Sequence, residues 1–111
     1  MEPNQGKRRH KLLTARDRKR LPALRATEGK EAIAQVKFFS PYNGWRWYAV
    51  EFDGEDTFFG FVEGFEKEWG YFSYRELTEV TVLFGKWSVP AVERELSWEP
   101  QPVPAFPRWE A

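Results

Sequence analysis

The chain has 111 residues, enough for one domain with a single modest core, and its 17 basic and 17 acidic residues cancel to a formal net charge of zero. It contains no cysteine, which excludes a disulfide framework, a thiolate metal site and a cysteine nucleophile, and its one histidine, His10, sits in a basic leader, so no Ser-His-Asp triad or multi-histidine zinc site is expected. No apolar run approaches the roughly 20 residues of a membrane span, and the first 30 residues lack the apolar segment of a signal peptide, so a cytoplasmic protein with no membrane partner and no cofactor is expected.

Met1–His10 is polar and basic and reads, with Lys11, as a disordered leader over residues 1–11. Thr14-Ala15-Arg16-Asp17 has the form of a capping box and predicts a short helix from about Ala15 to Leu21, ended by Pro22. From Glu31 the hydrophobic period changes to two. Ala32–Tyr42 is a strand, Asn43-Gly44 a two-residue hairpin turn, and Trp45–Phe52 the return strand. Asp53-Gly54-Glu55-Asp56 makes a second turn, Thr57–Phe65 a third strand, Glu66-Lys67-Glu68 a third turn and Trp69–Ser73 a fourth strand. Ser73-Tyr74-Arg75-Glu76 then predicts a second capped helix to about Glu79. Val80–Pro90 is irregular, Val92–Trp98 is a fifth strand or a short helix, and Pro100, Pro102, Pro104 and Pro107 impose an extended tail. The expected fold is α+β: a four- to five-stranded antiparallel meander, open or strongly curved, with a short N-terminal helix and a second short helix after the fourth strand. The domain is expected over residues 12–99, with the leader before it and the proline-rich tail over 100–111.

A two-residue turn at Asn43-Gly44 sets Tyr42 opposite Trp45, and the parity carried forward sorts the side chains between two faces. Phe38, Trp45, Trp47, Ala49, Phe58 and Val62 fall on one. Phe39, Tyr48, Val50, Phe52, Phe59 and Phe61 fall on the other, with Arg46 and Glu63 placed to pair across strands. Both faces are apolar, so both need a cover. The helices supply one; the C-terminal tail, a second copy of the chain forming a homodimer, or a partner must supply the other.

Charge is segregated along the chain. Residues 1–30 carry ten Lys/Arg against three acids, and residues 31–111 carry seven against fourteen. A basic arm on an acidic body suggests a polyanionic or acidic partner for the arm, or an arm folded back on its own body. Aromatic residues are dense as well: twenty in all, fifteen of them between Phe38 and Tyr74. Rings at this density fill a small core, but they also make protein-binding hot spots and stacking platforms for bases. The one carboxylate cluster is Glu51, Asp53, Glu55 and Asp56, with Glu63 beyond it. Hard cations take such oxygen ligands, yet the spacing is not that of an EF-hand loop, and a solvated hairpin tip is the expected assignment. Gly60, Gly64 and Gly70 form no phosphate loop and mark bulges or close packing against an aromatic. Arg94, in the Glu93-Arg94-Glu95 triplet, is expected at the surface rather than in a buried ion pair.

Taken together, Leu12-Leu13-Thr14, Leu21-Pro22-Ala23-Leu24-Arg25-Ala26-Thr27, Val36-Lys37-Phe38-Phe39 and above all the unbroken string from Trp47 to Val62 resemble the domain of unknown function 2958 family. The likeness continues through Gly70-Tyr71-Phe72-Ser73, Glu76-Leu77 and Glu93-Arg94-Glu95-Leu96, covering Leu12 to about Pro104. The resemblance implies an accessory protein of bacterial plasmids, phages and other mobile elements. It carries over no catalytic residue.

The leading expectation is a non-enzymatic protein that docks on a host or defence-system protein, in the manner of a counter-defence inhibitor. Its contact surface is expected to be Trp45, Trp47 and Phe58 rimmed by Glu51, Asp53, Asp56 and Glu63. The alternative is a nucleic-acid binder gripping phosphates with Arg8, Arg9, Lys11, Arg16, Lys19 and Arg20 and stacking bases on Trp45 or Trp47. A third class is a metal-dependent single-strand nuclease using Glu51, Asp53 and Asp56; no specific metal is expected there.

Overall fold

A computed structural model describes residues 2–105. Ahead of the sheet lie two short helices, α1 (Gln5–Arg8) and α2 (Ala15–Arg20). The strands β1 (Ile33–Ala34), β2 (Val36–Phe39), β3 (Arg46–Phe52), β4 (Thr57–Glu63) and β5 (Lys67–Ser73) follow, then α3 (Tyr74–Glu79). The chain ends through β6 (Thr81–Phe84), β7 (Trp87–Pro90), β8 (Glu93–Arg94) and β9 (Gln101–Pro102). The central sheet has the order β5-β4-β3-β2-β8 and is antiparallel throughout, so the expected meander is present with a fifth strand on its β2 edge. β1 pairs with β9 and β6 with β7 in two separate ribbons.

Local chemistry sets the helix starts. The Thr14 hydroxyl accepts from the Asp17 amide while the Asp17 carboxylate accepts from the Thr14 amide, a complete capping box. Ser73 accepts from the Glu76 amide at the start of α3. The first hairpin differs from expectation by two residues. Ser40 donates its amide to Trp45 and accepts from the Gly44 amide, so the loop is Pro41–Gly44 and Phe38 faces Trp47. Pro41 has no N–H to continue the ladder, which ends the strand there. Gly44 sits at φ 77°. A shift of two preserves parity, and the sides assigned to β2 and to β3 as far as Ala49 hold.

One parity does change. The β3–β4 register slips between Ala49 and Glu51, leaving Val50 as the extra residue of a bulge. Phe52, assigned to the second face, is thereby turned onto the first, where its ring lies 4.5 Å from that of Phe58. The first-face core joins Leu12, Leu13 and Leu21 from around α2, Leu77 from α3, and Val36, Phe38, Ala49, Phe52, Phe58 and Val92. The second face holds Tyr48 and Phe61, with Trp69, Trp98, Val103 and Ala105 packed on them. Of the three covers expected for this face, the C-terminal tail takes part, anchored where Ile33 faces Pro102 and where Trp98 donates its indole N–H to the Ala34 carbonyl. The remainder of the expected tail, 106–111, lies outside the described residues.

Residues 2–11, expected to be a disordered leader, are built into the domain. The Glu2 carboxylate accepts from the Leu12 and Leu13 amides at 2.7 and 2.8 Å and from the Tyr74 hydroxyl. Arg8 is buried, with its Nε donating to the Val92 carbonyl at 2.8 Å. Two further expectations are corrected. The 80–90 stretch is the regular hairpin β6–β7, and Val92–Trp98 contributes the two-residue strand β8. Arg94 is not a surface residue but pairs with the buried Asp17 and donates to the Leu12 carbonyl, tying β8 to α2.

Candidate functional site

The acidic and aromatic residues expected to form one surface are dispersed by the fold. Phe58 is wholly buried between Phe38, Phe52 and Phe72. Trp47 packs against the first-face core. Trp45 lies against Trp47, the Phe65 ring and Gly64, where any added Cβ would fall 2.6 Å from the indole. Glu51 is buried, its carboxylate accepting from the Arg25 and Thr27 amides and the Thr27 hydroxyl. Thus it holds the segment before the sheet onto β3. Asp53 accepts from the amides of Glu55, Asp56 and Thr57, an Asx-type closure of its own turn. Those amide bonds, the one from Glu55 foremost, hold its carboxyl below the usual carboxylate range.

Asp56 accepts from the Ser73 hydroxyl and the Arg75 amide, steadying the start of α3. Glu63 faces Arg46, as expected, and pairs with it at 3.7 Å. Burial, followed by the hydrogen bond to Glu63, pushes the Tyr48 hydroxyl up to about 12. These carboxylates therefore bind backbone and neighbouring side chains. Among the described residues no group of three or more His, Asp or Glu side chains could hold a metal ion.

The basic residues divide differently. Arg8 is structural: its side chain touches no solvent, and it pairs with Glu2 at 3.7 Å. Burial pulls its guanidinium below the usual arginine range, partly offset by Glu2. Arg9, Lys11, Arg16, Lys19 and Arg20 are exposed.

Sequence reasoning passed over the surface that the fold builds most plainly. Five of the eight exposed large apolar or aromatic residues among those described, Tyr42, Val80, Leu83, Phe84 and Trp87, lie on or beside the β6–β7 hairpin. The strand pairing shows why. Val82 faces Val89 and Phe84 faces Trp87, so these four side chains share one side of the ribbon. Val82 packs into the first-face core, but the ribbon runs past the core edge and carries Phe84 and Trp87 into solvent, 53% and 77% exposed. The Tyr42 ring, from the β2–β3 loop, meets Phe84 at 5.6 Å. A cleft of about 550 Å³ opens beside them, walled by Tyr42, Trp87, Val89 and Pro90 and flanked by Lys7 and Glu93. Lys7 fixes its floor by donating to the Ser88 carbonyl and hydroxyl at 2.9 and 3.2 Å. The signal was present in Phe84-Gly85-Lys86-Trp87, where Gly85 takes φ 60° in a two-residue turn between apolar pairs.

Residues 7–106 match the family model described as a protein of unknown function, DUF2958, and the chain belongs to that family. No curated protein and no solved structure matches it. No helix among the described residues is long and apolar enough to cross a membrane.

Proposed function

Starting from membership in a family that itself assigns no activity, we propose that this protein is a non-enzymatic binding module that docks on another protein through the β6–β7 hairpin. The observation that carries the reading is the apolar side of that ribbon continuing beyond the core, with Phe84, Trp87 and Tyr42 beside the 550 Å³ cleft. Leaving these rings half to three-quarters exposed forgoes about 1–2 kcal/mol of burial each, and contiguous apolar patches of this kind mark interaction sites. The recognised feature is an apolar side chain entering between Tyr42 and Trp87, with acidic neighbours placed for Lys7 and for Lys86 at the hairpin tip. In the mobile-element setting implied by the sequence resemblance, that partner would be a host or defence-system protein, and the role that of an accessory inhibitor.

Trp87→Ala and Phe84→Ala test the reading, because both side chains are largely outside the core and their loss leaves the fold in place. Affinity capture from a bacterial lysate treated with nuclease should recover a protein with the wild type, and the recovered partner should bind Trp87→Ala about 30-fold more weakly, corresponding to roughly 2 kcal/mol for a hot-spot ring. A partner that binds both variants as it binds the wild type would refute the hairpin as the docking surface.

A further inference from the structure

A second surface stands apart from the hairpin. Along α2 the buried Asp17 turns inward to Arg94, while Arg16, Lys19 and Arg20 are exposed. Positions 16 and 20 are one helical turn apart, about 6 Å along the axis, and lie on the same face. Both arginines line a cleft of about 530 Å³ whose other wall is the segment 96–100, including Ser97, Trp98, Glu99 and Pro100. Neither arginine forms an ion pair among the described residues, and Glu99 is the one carboxylate of the lining.

The opposite wall is held rigidly. The Trp98 indole N–H donates to the Ala34 carbonyl at 3.0 Å, its ring lies 5.8 Å from that of Tyr48, and the Lys37 ammonium sits 5.5 Å over it. Two planar donor forks without an ion-pair partner among the described residues, across the cleft from a fixed indole, give the cleft a cationic wall suited to an anion. The donor count selects the anion. A carboxylate presents two oxygens and a phosphate group three or more, so a phosphate matches two guanidinium forks more fully. Two guanidiniums with the Ser97 hydroxyl, beside the Trp98 ring and Pro100, suit a phosphate group carrying a planar ring.

We propose that the cleft between α2 and residues 96–100 binds a phosphate-bearing nucleotide unit, with Arg16 and Arg20 holding phosphate oxygens and Trp98 with Pro100 forming the apolar wall.

The test is two-dimensional NMR of the full chain, following the Trp98 indole N–H and the Arg16 and Arg20 side-chain N–H signals. The probes are inorganic phosphate, a mononucleotide, a short oligothymidylate and an acidic peptide of equal charge. Shifts confined to these three residues are expected with the nucleotide probes. Binding to mononucleotide and oligonucleotide alike points to a free nucleotide; binding to the oligonucleotide alone points to a single strand. For a strand neutralising two phosphates, the logarithm of affinity should fall with the logarithm of salt at a slope of about −1.4. Arg16→Gln and Arg20→Gln should each weaken binding at least tenfold without changing the melting temperature. Arg16→Lys, which keeps the charge but not the fork, should lie between. Trp87→Ala should bind as the wild type does, which separates this site from the hairpin. Equal affinity for the acidic peptide, shifts located elsewhere, or nucleotide affinity unchanged in both glutamine variants would overturn the proposal.

Discussion

Arg8 decides whether the N-terminal segment is an appendage or part of the domain. Its side chain is fully enclosed, with Nε donating to the Val92 carbonyl at 2.8 Å and the terminal nitrogens 3.4 Å from the Pro3 and Thr78 carbonyls. Replacement by alanine would leave the Val92 and Thr78 carbonyls without this donor and remove the cation beside the nearly buried Glu2 carboxylate. Breaking a buried pair of this kind costs about 3–5 kcal/mol, because the partner left behind is buried and uncompensated. Glu2 keeps its bonds from Leu12, Leu13 and Tyr74, which places the expectation at the lower end, about 3 kcal/mol. At roughly 4 °C per kcal/mol for a chain of this size, the melting temperature should fall by about 12 °C. Urea unfolding with an unchanged m-value would show that stability, not compactness, had changed. Removing residues 2–11 should cost more still, so reduced partner binding by such a truncation would report unfolding. A cooperative transition within about 1 kcal/mol of wild type for Arg8→Ala, together with a stable truncation, would refute the assignment of this segment to the core.

Gly60 and Gly70 face each other across β4 and β5, yet a Cβ at Gly60 would lie 1.8 Å from the Tyr48 carbonyl oxygen while one at Gly70 meets nothing within 4 Å. Gly60→Ala should therefore destabilise by about 3 kcal/mol or more, since backbone has to move, and Gly70→Ala should be neutral or stabilising by about 0.5 kcal/mol, as read by paired thermal melts. His10 has its Nε2 buried without a partner among the described residues, and burial lowers its pKa, opposed by Glu93 and reinforced by Arg8 and Arg94. The folded state thus disfavours the imidazolium: stability is complete above the unfolded value near pH 6.5 and declines as the pH falls below it. Melts at pH 7.5 and 5.5 should show this loss in the wild type and a smaller one in His10→Leu.

The features legible in the sequence are those whose cause is local. Thr14 with Asp17 and Ser73 with Glu76 each carry a cap within four residues, so both helix starts could be placed. The meander was legible because alternation and turn residues recur over short spans, and Gly64 against Trp45 follows from the packing role expected of strand glycines. The bulge at Val50 left no such mark: it inserts no glycine, and only the pairing with β4 reveals that Phe52 has changed sides. The N-terminal segment was misread for a related reason. Glu2 finds Tyr74 across 72 residues and Arg8 finds Val92 across 84, and neither separation produces a local pattern.

The same distinction explains how the expected acidic rim is divided: Glu51 is buried, while Asp53 stays exposed and Asp56 and Glu63 are half-buried. Glu51, Asp53 and Asp56 look alike in a turn-rich stretch, but a carboxylate next to unpaired backbone amides is more valuable as their acceptor than as a solvated charge. Each of the three takes at least one such amide, as do Glu2 and Asp17. Two of the basic residues, Arg8 and Arg94, are likewise drawn inward as their partners. What the fold leaves on the outside is therefore sorted differently from the sequence: Arg9, Lys11, Arg16, Lys19 and Arg20 stay exposed, while five carboxylates accept from the chain's own amides. The basic character of the first 30 residues survives folding on α2, whereas the acidic character of the body is partly spent on holding turns and helix starts together. Electrostatic steering by this protein should accordingly be governed by the α2 face, and apolar recognition by the hairpin that overshoots the core.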